Sequence, residues 1–216
     1  MNGIISPNML KTYELCPKKF YFRFVKNISM PIDDTIFETG KNIHALASYY
    51  LRKENIDNME KSLSMRESEL WNYLKNTKFF GYECINTEYN LAVKIGKHFF
   101  GGRLDALVKD KNGKYYILDY KTGSAPKNAV YDYQTIVYIL AVRKFYETNN
   151  IAFVYLDLSQ KNDVVIELTE NLVVEYEKKL LATENCIDSE DYNPKWGKCP
   201  CECNNKRNCE YDVICY

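Results

Sequence analysis

The sequence has no excess of charge of either sign: 29 lysines and arginines stand against 29 aspartates and glutamates in 216 residues. A zero balance excludes a histone-like protein that coats nucleic acid by bulk charge, so any contact with a polyanion has to be a local patch. No apolar run approaches the roughly eighteen residues of a membrane-spanning helix. The opening Met1-Asn-Gly-Ile-Ile-Ser-Pro7 has no charged segment leading into an apolar stretch. A soluble, cytoplasmic protein with no membrane partner is expected. Repeats and low-complexity linkers are missing too. What is present is 46% hydrophobic and 27% charged, enough for a real core and too apolar for wholesale disorder. Nineteen tyrosines serve core, interface and stacking equally well, so their number decides nothing.

Cysteine is unevenly spread. Cys199, Cys201, Cys203, Cys209 and Cys215 crowd the last eighteen residues, while Cys16, Cys84 and Cys186 are scattered. In an intracellular chain such a crowd reads as metal or cluster ligation rather than as a disulfide framework.

The hydrophobic pattern predicts an opening helix capped by Ser6 with Pro7 at its first position, kinked or split at Cys16-Pro17. Residues 11–26 are locally basic, with only Glu14 opposing five lysines and arginines. Further helices are predicted over 34–53 and 59–76. Strands follow at 83–95, 98–109 and 114–120, the last two joined by a Lys111-Asn112-Gly113 turn. A helix over 128–147, strands at 151–158 and 162–168, and a helix capped by Thr169 and running to about 185 complete the pattern. This order implies an α/β domain with a mixed central sheet. The expected organisation is a helical region over 1–80, a core over 81–187 and a cysteine-rich tail over 188–216 packed on the first helix.

Two strands carry the chemistry. In Ile117-Leu118-Asp119-Tyr120-Lys121, Asp119 and Lys121 project from one face and Leu118 and Tyr120 from the other. Asp105 interrupts the apolar strand Gly102-Arg103-Leu104-Asp105-Ala106-Leu107, with Leu104 and Ala106 expected on its opposite face. The short turn between the strands brings the two aspartates toward one end of the sheet. Paired carboxylates repel unless a cation separates them. A hard divalent ion, Mg²⁺ or Mn²⁺, removes that cost, and such an ion acidifies water and neutralises phosphoryl charge. Lys121 alongside suits the holding of a nucleophile or phosphate better than proton abstraction. A plain surface Asp–Lys pair explains the same spacing.

These residues resemble the RecB-like branch of the PD-(D/E)xK nucleases, which carries a G-x-x-D strand, a D-x-K-[TS]-G strand and a Q-x-x-x-Y helix, in that order. Here they read Gly102 to Asp105, Asp119 to Gly123, and Gln134 to Tyr138. Gly40-Lys-Asn-Ile-His44 resembles the family's G-x-x-x-H helix, and the stretch from Ser6 to Phe20 its opening helix ending in Cys-Pro-x-x-[FY]. The resemblance implies a restriction-endonuclease-like core and a metal-dependent DNA nuclease, with His44, Asp105, Asp119 and the Tyr120 carbonyl as metal ligands. It implies Lys121 as the catalytic lysine, with Gln134 and Tyr138 holding it and the DNA strand. Glu88 occupies the place of a strand glutamate of variable role. Thr122-Gly123 is expected to turn the chain sharply beside the phosphate.

Several relatives of this kind carry a [4Fe–4S] cluster held by the N-terminal Cys-Pro and three tail cysteines spaced C-x2-C-x5-C. Cys16, Cys209 and Cys215 fit, and Cys203 is the nearest upstream ligand, although it lies six residues before Cys209 rather than three. Cys199 and Cys201 are alternatives. Zinc in the tail is the competing cofactor. With no Gly-Lys-Ser/Thr phosphate loop, unwinding falls to a partner such as a helicase. A CRISPR integrase is another partner the resemblance admits, alongside roles in CRISPR adaptation, repair and recombination, or viral replication in a host cytoplasm. A non-catalytic DNA-binding subunit on the same scaffold is the alternative, and nothing in the sequence separates DNA from RNA.

Overall fold

The computed structural model of the protein describes residues 3–29, 37–193, 209–211 and 214–215. The chain opens with a short strand β1 (Ile4–Ile5), then helices α1 (Pro7–Leu15) and α2 (Pro17–Phe20), which runs into a π-helical turn over Tyr21–Val25. Helices α3 (Glu38–Leu51), α4 (Asp57–Ser62) and α5 (Met65–Lys75) precede the strands β2 (Glu83–Ile95), β3 (His98–Lys109) and β4 (Tyr115–Lys121). Helix α6 (Tyr133–Phe145), strands β5 (Ile151–Asp157) and β6 (Asn162–Glu167), and helix α7 (Glu170–Asp188) follow. The expected mixed α/β order is therefore present.

Three local signals set the boundaries. Ser6 caps α1, and the chain breaks at Cys16, whose sulfur accepts the Lys19 N–H and so caps α2. The single helix expected over 59–76 is two, because Ser64 and Glu67 form a reciprocal capping box that starts a new helix after Leu63. The helix expected from 128 starts at 133, since the Asp132 carboxylate takes the Gln134 N–H and fixes the N-terminus there. The predicted start of the second helix, 34–36, lies outside the described residues. Strand β1 was not expected at all; two residues are too few to show a period.

Among the described residues, six strands form one mixed sheet. β2 pairs antiparallel along one edge of β3; β1 (parallel) and β4 (antiparallel) share the other edge; β4–β5 is parallel and β5–β6 antiparallel. One face packs on α1, α6 and α7 through Leu10, Tyr13, Ile136, Leu140, Tyr176 and Leu180. The other packs on α3 and α5 through Ile43, Leu46, Trp71 and Leu74. Covered on both sides, β5 is buried at all seven residues and reads as a continuous apolar run ending in Asp157. The alternation expected around Asp105 slips. Leu104 joins the α1–α6 side and Ala106 the α3–α5 side, opposite the point where Glu88 adopts a positive φ of 50°. Helices cover both faces of the sheet, and the site lies where its central pairing is interrupted.

Candidate active site

The second edge of β3 is paired with β1 at Phe99 and Phe100 and with β4 at residues 106–109, leaving residues 101–105 facing a gap. Side chains take over the backbone groups that a strand would otherwise pair. Asp105 Oδ2 accepts the Tyr120 N–H at 2.9 Å, and the Tyr138 hydroxyl donates to the Arg103 carbonyl at 3.1 Å. That hydroxyl explains Gly102: a Cβ there would sit 2.9 Å from the Tyr138 oxygen.

Helix α3 brings His44 to the same end of the sheet. Its Nε2 lies 3.0 Å from the Tyr120 carbonyl and its Nδ1 3.2 Å from Asp105 Oδ1. A neutral imidazole has one N–H and cannot satisfy two facing acceptors, so the arrangement calls for a cation, either an extra proton or a metal ion. Burial works against charge on this ring, but the hydrogen bond and charge of Asp105, with the Tyr120 carbonyl and Asp119, outweigh it and hold the pKa above the ordinary histidine value.

Asp119 is the most constrained acid. Its Oδ1 accepts the Gln134 amide N–H at 2.9 Å. The Lys121 ammonium stands 2.7 Å from Oδ2, close enough for an ion pair but not aligned for a hydrogen bond. Oδ2 and the Tyr120 hydroxyl are the only buried side-chain polar atoms without a hydrogen bond among the described residues. Burial first, and then the neighbouring Asp105, push the Asp119 pKa up to about 6 despite Lys121. His44 and Asp105 offer donors of the kind a hard divalent ion takes, while Asp119, whose Oδ2 is engaged by the Lys121 ion pair, stands outside the group of ligand atoms that lie close to one another. His44, Glu88 and Asp105 offer ligand atoms within 4.8 Å of one another, so Glu88 stands closer to the histidine than its sequence position suggested. Glu88 also pairs with Arg103 at 2.9 Å.

The Gln134 amide is pinned at both ends. Its nitrogen faces Asp119, and its oxygen accepts Lys121 at 3.0 Å and faces Lys11 at 3.5 Å. Tyr138 shares that face of α6 but spends its hydroxyl on the β3 backbone, so it holds the strand rather than the lysine. The chain bends at Thr122 and Gly123 as expected, but Gly123 has no positive φ and open space around it, so the bend is a strand-end turn that does not require glycine. Lys11, Asp132 and Tyr155 are functional-site neighbours the sequence reading missed. Asp132 just before an apolar helix is an N-cap signal that marks one of them. A cleft of about 670 Å³ opens on the histidine side, lined by Lys41, Tyr49, Arg52, Glu88 and Arg103 as well as His44 and Asp105. A larger hollow of about 1010 Å³ shares Arg52 with it; His44 and Asp105 line only the smaller cleft, and Asp119 and Lys121 line neither.

A second group, His98, Glu184 and Asp188, also gathers a histidine and two carboxylates. Here Glu184 Oε1 accepts the Lys97 and His98 backbone N–H groups at 2.7 and 3.0 Å, and His98 Nε2 meets Asp188 Oδ1 at 2.8 Å. The His98 contact holds the Asp188 carboxyl below its usual range.

Of the expected cluster ligands, Cys16 is buried and Cys209 and Cys215 are half-buried; Cys199, Cys201 and Cys203 lie outside the described residues. The tail touches the opening helices: Lys19 pairs with Glu210 at 2.7 Å, and buried Tyr211 packs its ring on Phe22 and donates to the Ile28 carbonyl at 2.7 Å.

No curated protein matches the sequence. Among solved structures, a candidate exonuclease from Eubacterium rectale superposes with a TM-score of 0.55 at 12% identity, covering 98% of this chain and 92% of its own. The protein SSO0001 gives 0.47 at 16% identity, with 100% and 86% coverage. A repair endonuclease from Pyrococcus abyssi gives 0.28 at 21%, with 59% and 47% coverage. The first of these supports the fold. The PD-(D/E)XK nuclease superfamily profile matches residues 4–216, which is nearly the whole sequence, and with that match the chain belongs to the PD-(D/E)XK nuclease superfamily.

Proposed function

We propose that the protein is a metal-dependent deoxyribonuclease that hydrolyses phosphodiester bonds in single-stranded DNA or at DNA ends. The observation that carries this reading is the His44–Asp105 pair with Glu88 in ligand range, next to a buried Asp119 that Gln134 and Lys121 hold. His44, Asp105, Asp119 and the Tyr120 carbonyl, with Glu88 in reach, would hold the ion. When bound, a divalent ion supplies charge for the phosphoryl oxygens and a more acidic water. The chain's own residues do the rest. Gln134 fixes the Lys121 ammonium and the Asp119 carboxylate in one rigid unit, so the lysine meets a phosphate without having to be reoriented. The cleft offers Arg52 stacked over Tyr49 at 4.8 Å, together with Lys41, a cationic and aromatic wall suited to a strand. Labelled single- and double-stranded DNA and RNA, incubated with Mg²⁺, Mn²⁺ or chelator, test the reading. Cleavage of DNA that stops with chelator and in Lys121→Ala supports it, and full activity of that variant defeats it.

The tail belongs to the same reading as a [4Fe–4S] ligand segment completed by Cys16. Support comes from the buried sulfur of Cys16 at the start of α2 and from the Lys19–Glu210 and Phe22–Tyr211 contacts that bring residues 209–211 to that helix. A visible spectrum and metal analysis of anaerobically purified protein test it; a colourless protein containing zinc and no iron overturns it.

A further inference from the structure

A hollow of about 270 Å³ is lined by Ser6, Asn8, Lys11, Arg103, Gln134 and Tyr138. We propose that this hollow is a second phosphate subsite, which takes the phosphodiester next to the one being cut, with Lys11 as its cation. The inference rests on the nuclease reading above and assigns a site that reading does not contain.

The oxygen of Gln134 joins two lysines. It accepts Lys121 at 3.0 Å and faces Lys11 at 3.5 Å, so the two ammonium nitrogens are separated by no more than those two contacts end to end. That upper bound leaves room for the two cations to face neighbouring phosphates of one strand. The second point is the state of Lys11. Its ammonium has three N–H groups; Asp132 Oδ2 at 2.8 Å and Gln134 take two, and the side chain remains 38% exposed. Asp132 cannot turn away to release it, because its other oxygen holds the Gln134 N–H and the Tyr155 hydroxyl. The lysine is thus held in place with a donor to spare. Third, Arg103 lines both this hollow and the cleft beside His44, so one cation borders the two.

A purely structural ion pair is the competing account. Helix α1 does not depend on it: Leu10 is fully buried, and the Tyr13 hydroxyl donates to the Cys186 and Asp191 carbonyls at 3.0 and 2.9 Å. The Lys11 end of the pair is 38% exposed, so its charge faces solvent as well as Asp132.

The full-length protein is assayed with Mn²⁺ on single-stranded oligonucleotides, either unmodified or with one neutral methylphosphonate on either side of the scissile bond. Lys11→Gln is expected to raise KM about tenfold with kcat nearly unchanged. It should make the salt dependence of kcat/KM shallower by about 0.7 in log–log slope, the release of one counterion from a single strand. For the wild type, neutralising one of the two neighbouring phosphates should cost about as much, and that substitution should cost Lys11→Gln nothing further. Lys111→Gln, on the distant β3–β4 turn, is the control with an unchanged slope. An unaltered KM and slope in Lys11→Gln, or losses that simply add at both positions, overturns the subsite. If the wild type leaves the unmodified strand uncut with both Mg²⁺ and Mn²⁺, it is the catalytic reading that falls, and the subsite with it.

Discussion

Two clusters in this molecule contain the same ingredients, one histidine and two carboxylates, and they are in opposite electrostatic states. Around His98, the protein itself completes the coordination: Glu184 takes two backbone N–H groups, and Asp188 is held by His98 and, at 3.8 Å, by Lys97. The carboxylate of Glu184 thereby ties the β2–β3 turn to α7. Around His44, Asp105 and Asp119 repel each other, one buried oxygen has an ion pair but no hydrogen bond, and the imidazole is asked to donate twice. Residue type alone therefore does not identify a metal site; an unmet electrostatic demand does. The glycines beside the clusters differ in the same sense. A Cβ on Gly96, which has φ +59°, would land 2.0 Å from Glu184, whereas one on Gly40 would make an ordinary 3.5 Å contact with Thr122.

The sharpest way to break this comparison is to remove one acid from each cluster. Asp119→Asn should lower cleavage by a factor of at least about 10² while raising the thermal midpoint of the metal-free protein, because a charge buried at a cost is gone. Glu184→Gln should do the reverse, with activity retained and stability lower by about 1–3 kcal/mol. If both variants lost activity equally, or both were destabilised, the distinction would fail.

The pH dependence comes next in size. The folded-state pKa of Asp119 is raised to about 6 and that of His44 is raised as well, so both groups hold protons more tightly in the folded protein than in the unfolded chain. Their contribution to stability is present at low pH and is lost as pH rises, for Asp119 between about 4 and 6. The metal-free protein should therefore lose on the order of 3 kcal/mol across that window. Saturating Mg²⁺ or Mn²⁺ should remove the loss, and so should Asp119→Asn. Urea titrations at several pH values check this.

Smaller effects follow from the glycines and from Tyr138. Gly96→Ala should destabilise by about 2 kcal/mol or more, with both a positive φ and the Glu184 carboxylate against it. Tyr138→Phe leaves the Arg103 carbonyl without its donor and should cost about 1 kcal/mol. Gly40→Ala should be neutral or stabilising by up to about 1 kcal/mol, since a helix position gains a side chain without a clash. Thermal melts of the three variants order them.

Much of the scaffold was legible from pattern because its periods are long. The thirteen residues of β2, the continuous apolar run of β5 and the nineteen residues of α7 each repeat their signal several times. Short features escaped it: β1 has two residues, and the break between α4 and α5 depends on one Ser–Glu reciprocal cap. The motif residues were legible as types at a spacing, but the demand upon them was not. Nothing in Gly102 announces the Tyr138 hydroxyl above it, and nothing in Lys11 announces Gln134, 123 positions away.

Sequence alone thus determined which groups the chain can bring to bear, two aspartates and a lysine on neighbouring strands with a histidine on an earlier helix, because residue type and spacing are properties of the chain itself. Only the tertiary structure decided which of the two histidine–acid clusters is satisfied and which is left wanting a cation. The reason is that desolvation and the pairing of charges depend on every element packed around a group, and none of that is written in its neighbours along the chain.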